Sequence, residues 1–306
     1  MAYSVKQSFC FCRHYGIIKN GRMMSLPAEF EDCASLVHFD GSDLPRIPIN
    51  WRFAESLASL KAFEATMLNV LRSRRYGCAA SHVNINTDHA SLFIRTPFLT
   101  RVVMPDARQE GANFFHPETV KKIGFPPTDR HRCKASNHRA LASNIYRTKG
   151  DRYYHIHASV NPEPTLTALG LPLDTPEGES DSYEAVVERF QNVTSKTDPY
   201  ELDQRINEAY KQAGTVAWTT EEYLRSPHGL ANAHVGLYEL QAAPTGHASC
   251  WWPNDDSLPS SAERPLAGLR VLDLTRVIAA PTVTRSLAEM GASMRDTVES
   301  IFRCRS

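Results

Sequence analysis

Residues 263–293 read ERPLAGLRVLDLTRVIAAPTVTRSLAEMGAS, and this stretch decides the fold class. Leu269 to Leu274 has the character of a buried strand. A short loop, Thr275 to Pro281, follows it, and a helix opens at Pro281 and closes at Gly291. Strand, loop, helix is the order at the start of a Rossmann-like unit. The loop lies where the carboxyl end of a strand meets a helix N-terminus, which offers N–H groups and a positive dipole to a phosphate. Arg276 can add a charge-assisted contact. The fingerprint GxGxxG is absent, so a dinucleotide held in the usual way is not expected. Read from its residues alone, the stretch is an α/β unit for which phosphate or nucleotide binding is one use among several.

Upstream, residues 241–265 shift to Pro, Ser, Gly, Ala and Asp around an apolar Trp251-Trp252 pair, the composition of a linker. Before it, Thr219-Thr220-Glu221-Glu222 has capping-box spacing, and Pro227 and Gly229 are expected to break the helix that follows. Helices are expected over Tyr183 to Val193 and from Pro199 to Ala213, with Leu202, Ile206, Ala209 and Tyr210 as the buried stripe of the second. A strand is expected from Thr215 to Trp218. NIYRTKGDRYYHIHASV (144–160) reads as a β-hairpin turning at Lys149 to Arg152, and TLTALGL (165–171) as a short helix stopped at Gly170. Residues 105–140 lack periodicity and read as loop-rich. HVNINTDHASLFI (82–94) reads as a strand running into a helix capped by Thr87 or Asp88. NWRFAESLASLKAFEATMLNVLRSRR (50–75) is a long helix, capped by Asn50 and stopped by Gly77, with Phe53, Leu57, Leu60, Met67 and Leu71 as its core stripe.

Composition bounds the partners. The 306 residues balance 34 Lys plus Arg against 34 Asp plus Glu, so no long-range field favours nucleic acid or an anionic membrane. No run approaches the length needed to cross a bilayer, and the start lacks a secretory h-region, so a cytoplasmic protein is expected, with a mitochondrial or peroxisomal location as the alternative. Residues 1–28 hold Lys6, Arg13, Lys19 and Arg22 and no acid, a transit-peptide-like bias that a poorly ordered start explains equally well. Seven scattered cysteines without a CxxC pair point to free thiols in a reducing compartment, and no metal site is expected of Cys10 and Cys12.

Two strings together carry a resemblance. LAGLRVLDLTRVIAAP followed by LAEMGAS is similar to the opening of the family III CoA-transferases (CaiB/BaiF family, with formyl-CoA transferases and α-methylacyl-CoA racemases). IYRTKGDRYYHIHASVNPEPTLTALGL, with the later TTEEY helix, resembles their small domain. The likeness covers roughly residues 28–292 and is greatest to the long, duplicated fungal type. It implies an α/β fold in which a mixed helical and small-sheet region is followed by the start of a Rossmann-like unit. The expected organisation is a poorly ordered 1–27, a first CoA-transferase-like region 28–240, a linker 241–265, and a second, truncated unit 266–306. It further implies CoA contacts at Arg276, Ile278, Ala279, Ala280 and Pro281. Where the family continues with a strand of the type Val-Ile-Lys-Val, this chain reads SMRDTVESIFRCRS.

Family members attack an acyl-CoA thioester with an aspartate, which is covalent carboxylate catalysis. The resemblance places the segment carrying that aspartate outside this chain. Asp88, beside His89 at the end of a strand, is the catalytic candidate among the residues present, and helix capping is its competing role. His155 and His157 point to one sheet face, where a structural pair outweighs a metal site for want of an acidic ligand. Arg147 and Lys149 could reach a CoA phosphate, though a hairpin turn commonly carries such charges. No GxSxG, HExxH or P-loop string occurs. The expected function is CoA transfer between an acyl-CoA and a carboxylic acid, with CoA as substrate and no permanent cofactor, in a homodimer. A 2-methylacyl-CoA racemase, or an inactive binding remnant, is the alternative.

Overall fold

The computed structural model describes residues 17–19, 22–24, 26–42, 46–47, 52–99, 121, 124, 129–234, 238–240, 246, 248, 250–254, 257, 259, 261, 263–275 and 278–296. In chain order its elements are β1 (Ile17–Lys19), β2 (Arg22–Met24), α1 (Phe30–Ser35), β3 (Val37–Asp40), α2 (Phe53–Tyr76), β4 (Val83–Asn86), α3 (Thr87–Phe93) and α4 (Thr96–Leu99). Then come α5 (Asn137–Ala140), β5 (Ser143–Thr148), β6 (Arg152–His157), α6 (Glu163–Ala168), α7 (Tyr183–Thr194), α8 (Pro199–Asp203), a π-helical turn (Gln204–Ala209) and β7 (Ala213–Val216). The last are α9 (Thr220–Arg225), α10 (Pro227–Asn232), β8 (Tyr238–Leu240), β9 (Arg270–Asp273), α11 (Ala279–Glu289) and β10 (Ser293–Asp296). The result is mixed α/β with small sheets, as the fold reading expected in its coarser form. Two compact units emerge, residues 100–233 and residues 1–99 together with 234–306.

Residues 100–233 are built on the antiparallel sheet β5-β6-β7, in which Tyr146 pairs Tyr154 and Tyr154 pairs Val216. Alternation sends Tyr146, Tyr154, Ile156 and Val216 into a core with Leu166, Phe190, Leu202 and Ile206, and leaves Ile145 and Tyr153 outside. Phe190 stacks on Tyr146 with centroids 5.1 Å apart. Burial raises both tyrosine phenols, and each is anchored, Tyr146 donating to the Leu141 carbonyl and Tyr154 to Asp203. The hairpin turns as expected, with Gly150 and Asp151 at positive φ. The buried Arg139 guanidinium gathers three carbonyls, of His131, Arg132 and Leu173, and the carboxylate of Glu163.

Several expectations here need correction: Ala209 and Tyr210, read into the buried stripe, are exposed, and the strand expected from Thr215 to Trp218 forms at Ala213–Val216. The helix from Pro199 does not run regularly to Ala213. After Asp203 it widens to i→i+5 bonding, with Tyr210 N–H on the Arg205 carbonyl, and Asn207 reaches both the amide and the carbonyl of Gly214 at 3.0 Å. This draws β7 against the Tyr154 ring so tightly that a Cβ on Gly214 would lie 2.4 Å from its hydroxyl. Pro227 and Gly229 do end α9, but they also form α10: Ser226 caps it by accepting from Gly229 N–H, and Pro227 holds its first turn. The capping box Thr219/Glu222 is present in both directions.

In the other unit, α2 spans the predicted length, and Gly77 at φ +65° closes it by donating to the Ser73 carbonyl. Asn50 lies outside the described residues. The buried face of α2 differs from the one predicted. Ala54, Ala58, Ser59, Ala62, Thr66 and Val70 are buried, while Leu60 is 41% exposed and Phe53, Leu57, Met67 and Leu71 are half-buried. Small side chains let α1, α3 and β4 approach the helix axis closely. The Ser59 and Thr66 hydroxyls are satisfied within the helix by the carbonyls of Glu55 and Ala62, so their burial costs little.

Beside α2, β3 and β4 pair in parallel, Val37 with Val83 and Asp40 with Asn86. At the carboxyl end of the chain, β9 and β10 also pair in parallel, Arg270 with Ser293, with α11 as the crossover. Thus SMRD, although unlike the apolar strand that the resemblance leads one to expect, closes a βαβ unit. The strand and helix sit within one residue to two residues of the expected bounds.

Candidate functional site

The loop after β9 is shaped by Asp273. Its Oδ1 accepts from the Thr275 amide at 2.8 Å and hydroxyl at 2.5 Å, and its Oδ2 from the Thr284 hydroxyl at 2.7 Å. Those hydroxyls, Thr275 first and then Thr284, hold the carboxyl below its ordinary range, so it is ionised at neutral pH. The helix N-terminus then rises at Ala279, with Ile278 in the capping position at φ −128° and no side chain capping it. Ile278, Ala279 and Ala280 are exposed and Pro281 is half-buried. Pro281 has no N–H, and the Thr282 N–H bonds the Ile278 carbonyl, so the outward donors of this turn are the amides of the small residues Ala279 and Ala280. Such a terminus presents positive potential to an anion without side-chain obstruction. Arg276 lies outside the described residues.

A groove of about 660 Å³ runs along α11 from Thr282 to Met290, the residue after its end. The large face of α2, Leu57, Leu60, Met67 and Leu71, forms one wall, and Val283, Leu287 and Met290 another. Its volume is that of a small-molecule cleft. Lys61 sits in the wall, bonded to Glu64 and at 3.4 Å from the Ser286 hydroxyl, with its ammonium 5.0 Å from the Phe93 ring centroid. Nearby, Arg75 lies 4.0 Å from the Trp252 ring centroid and donates to its carbonyl, while the Trp252 indole N–H donates to the Ala267 carbonyl. The Trp pair in the stretch read as a linker is therefore fastened to the end of α2 and to the turn before β9.

Asp88 lies in the first turn of α3 at the carboxyl ends of β3 and β4. The cap is Asn86, whose side chain accepts from the His89 amide at 3.0 Å, not Thr87 or Asp88. The Asp88 carboxylate is instead paired with Arg46 at 3.1 Å. Thr87 donates to the Asp40 carbonyl, and Asn84 to the Asp40 carboxylate. Among the described residues no bond joins Asp88 to the loop at 278–281.

His155 and His157 do share a face, ring centroids 6.0 Å apart and edge-on, and His157 Nδ1 accepts from the Ser159 amide. Among the described residues no group of three or more His, Cys, Asp or Glu is placed to hold a metal ion. Arg147 pairs with Asp151 across the hairpin turn. Among the described residues, Cys33, Cys78, Cys133 and Cys250 carry free thiols, and no helix is long and apolar enough to cross a membrane. The sequence reading missed Asp273 and Thr284. The signal was available in Asp273-Leu274-Thr275, since an Asp two residues before a Thr favours an Asx-type turn.

Comparison with known proteins bears on this geometry. No family model matches the chain. Over 280 residues it is 50% identical to the acetyl-coenzyme A transferase nodX of Hypoxylon pulicicidum, an alignment covering 91% of this chain and 46% of that protein. Over 267 residues it is 27% identical to an acyl-CoA transferase of Gibberella moniliformis, covering 86% of this chain and 44% of the other. The chain thus spans about half the length of the curated relatives it matches. Among solved structures it is similar to a hypothetical protein of Mycobacterium tuberculosis, with a TM-score of 0.38 and 12% identity over 69% of this chain and 52% of that one.

Proposed function

We propose that the chain is part of a family III CoA-transferase that moves CoA between an acyl-CoA and a carboxylic acid. The 50% identity over 91% of the chain with a protein named acetyl-coenzyme A transferase carries this reading. In it, the loop from Thr275 to Pro281 is the CoA element. Ala279 and Ala280 offer backbone donors to the anionic part of CoA, Arg276 supplies a cation, and Ile278 and Pro281 pack against the ligand. CoA and acyl-CoA are substrates, and no permanently bound group is required.

The chemistry of this class needs only a carboxylate. It attacks the thioester carbon and expels the CoA thiolate, leaving an acyl-enzyme anhydride. The thiolate then attacks the enzyme's own carbonyl and releases the donor acid, leaving an enzyme–CoA thioester. The acceptor acid runs the same two steps in reverse. Asp88 is the carboxylate to test in this chain, with Arg46 beside it to stabilise the anion. A homodimer belongs to the same reading.

The test is isothermal titration of the full chain with CoA and with acetyl-CoA, for the wild type and Arg276→Ala. Saturable binding weakened by the substitution is expected. A folded chain that binds neither ligand refutes the assignment of the loop. Loss of the α-deuterium from a 2-methylacyl-CoA without acyl exchange would move the chemistry to racemisation.

A further inference from the structure

One carboxylate holds both banks of the loop between β9 and α11. Asp273 Oδ1 binds the start of the loop through the amide and hydroxyl of Thr275, and Oδ2 binds the helix through the Thr284 hydroxyl, five residues beyond Ala279. The group between them is planar and rigid, so the strand end and the helix are set at one spacing. Among the described residues little else at this end of α11 can do so: the helix has no side-chain cap, and the third residue of its first turn is Pro281. The donors are short and the acceptor is charged, so each bond is stronger than a neutral one. The Thr284 hydroxyl also lies 3.0 Å from the Pro281 carbonyl one turn back, so its single proton faces both that oxygen and the nearer Asp273 carboxylate.

We propose that Asp273, acting through Thr284, is a positioning residue that fixes the direction of the Ala279 and Ala280 amides and thereby sets affinity for the anionic part of a CoA ester. This rests on the reading of the loop as the CoA element. Asp273 touches no ligand in this scheme; it lies at the strand end and works through the two threonines. Its effect is on binding rather than on the chemical step.

Thr284→Val tests it, because the substitution keeps the shape of the half-buried side chain and removes only the hydroxyl. Two readouts are needed on the full chain: titration with CoA, and amide hydrogen exchange of residues 274–282 without ligand. The expected result is a CoA dissociation constant raised about tenfold or more, with faster exchange confined to that segment and a thermal midpoint close to the wild type. Thr284→Ser restores both values. Asp273→Ala, which removes both acceptor oxygens, follows Thr284→Val in CoA binding. Equal CoA binding by wild type and Thr284→Val overturns the positioning role and leaves the CoA reading standing. A wild-type chain that binds no CoA overturns both.

Discussion

Gly41 to Ala is the perturbation whose cost the structure specifies most closely. Gly41 follows β3 at φ +109°, a region that L side chains rarely adopt. A Cβ there would lie 2.4 Å from the Thr87 hydroxyl, 3.1 Å from the Thr87 amide and 3.2 Å from the Asp88 amide. Rotating Thr87 relieves only the first contact, and it breaks the hydroxyl's bond to the Asp40 carbonyl. Backbone strain of about 1–3 kcal/mol adds to about 0.5–1.5 kcal/mol for the lost bond, a total of about 1.5–4.5 kcal/mol. Since each 1.4 kcal/mol is about tenfold, opening of the β3–β4 pair rises about 10- to 1,600-fold. Amide hydrogen exchange on residues 36–42 and 83–90 reads this directly, and it needs no assumption that the two units unfold together. Gly77→Ala is the control: φ is +65° and nothing lies within 4 Å of its Cβ. It costs about 1–2 kcal/mol at the end of α2 and leaves exchange in 83–90 near the wild-type rate. The Gly41→Ala/Thr87→Ala double variant costs less than the sum of its parts, because one hydroxyl figures in both. If Gly41→Ala opens β3–β4 no more than Gly77→Ala does, the close approach of these strand ends is not what requires glycine.

Glu29 and Glu222 are held at about 2 instead of 4.5, chiefly by hydrogen bonds from Arg74 and Arg152 respectively. A depressed carboxyl pKa stabilises the fold above the unfolded value, so this contribution is complete above about pH 4.5 and is lost between there and about pH 2. Glu29→Gln and Glu222→Gln are expected to flatten the decline of the thermal midpoint over that window; an unchanged decline would assign acid sensitivity elsewhere. Arg75→Ala removes the cation 4.0 Å from the Trp252 ring centroid and the bond to the Trp252 carbonyl. It should cost about 1–2 kcal/mol and red-shift tryptophan emission as residues 251–254 detach from α2; an unmoved spectrum would refute the clamp.

Local chemistry was legible wherever neighbours in sequence decide the geometry. The Thr219/Glu222 box, the Gly77 stop, the hairpin at Lys149 to Arg152 and the strand-loop-helix order of residues 269–291 each depend on contacts a few residues apart, and each formed as read. The cap of α3 falls on Asn86, one residue before Thr87 and two before Asp88, because several adjacent side chains can cap and only the final backbone angles choose among them.

The buried face of α2 could not be read this way. Periodicity singled out its largest apolar residues, yet close approach by α1, α3 and β4 selected the Ala, Ser and Thr stripe and turned the leucines toward the groove beside α11. Likewise, Asp273 is an ordinary strand-end acid in sequence. Its hold on Thr284, eleven residues on, exists only once β9 and α11 are packed together. Sequence determined those helices and strands whose propensity, capping and turns act over a few residues, though the π-helical turn after Asp203 and α10 went unread. Tertiary structure decided which faces are covered and which polar groups meet, because those depend on elements far apart in the chain.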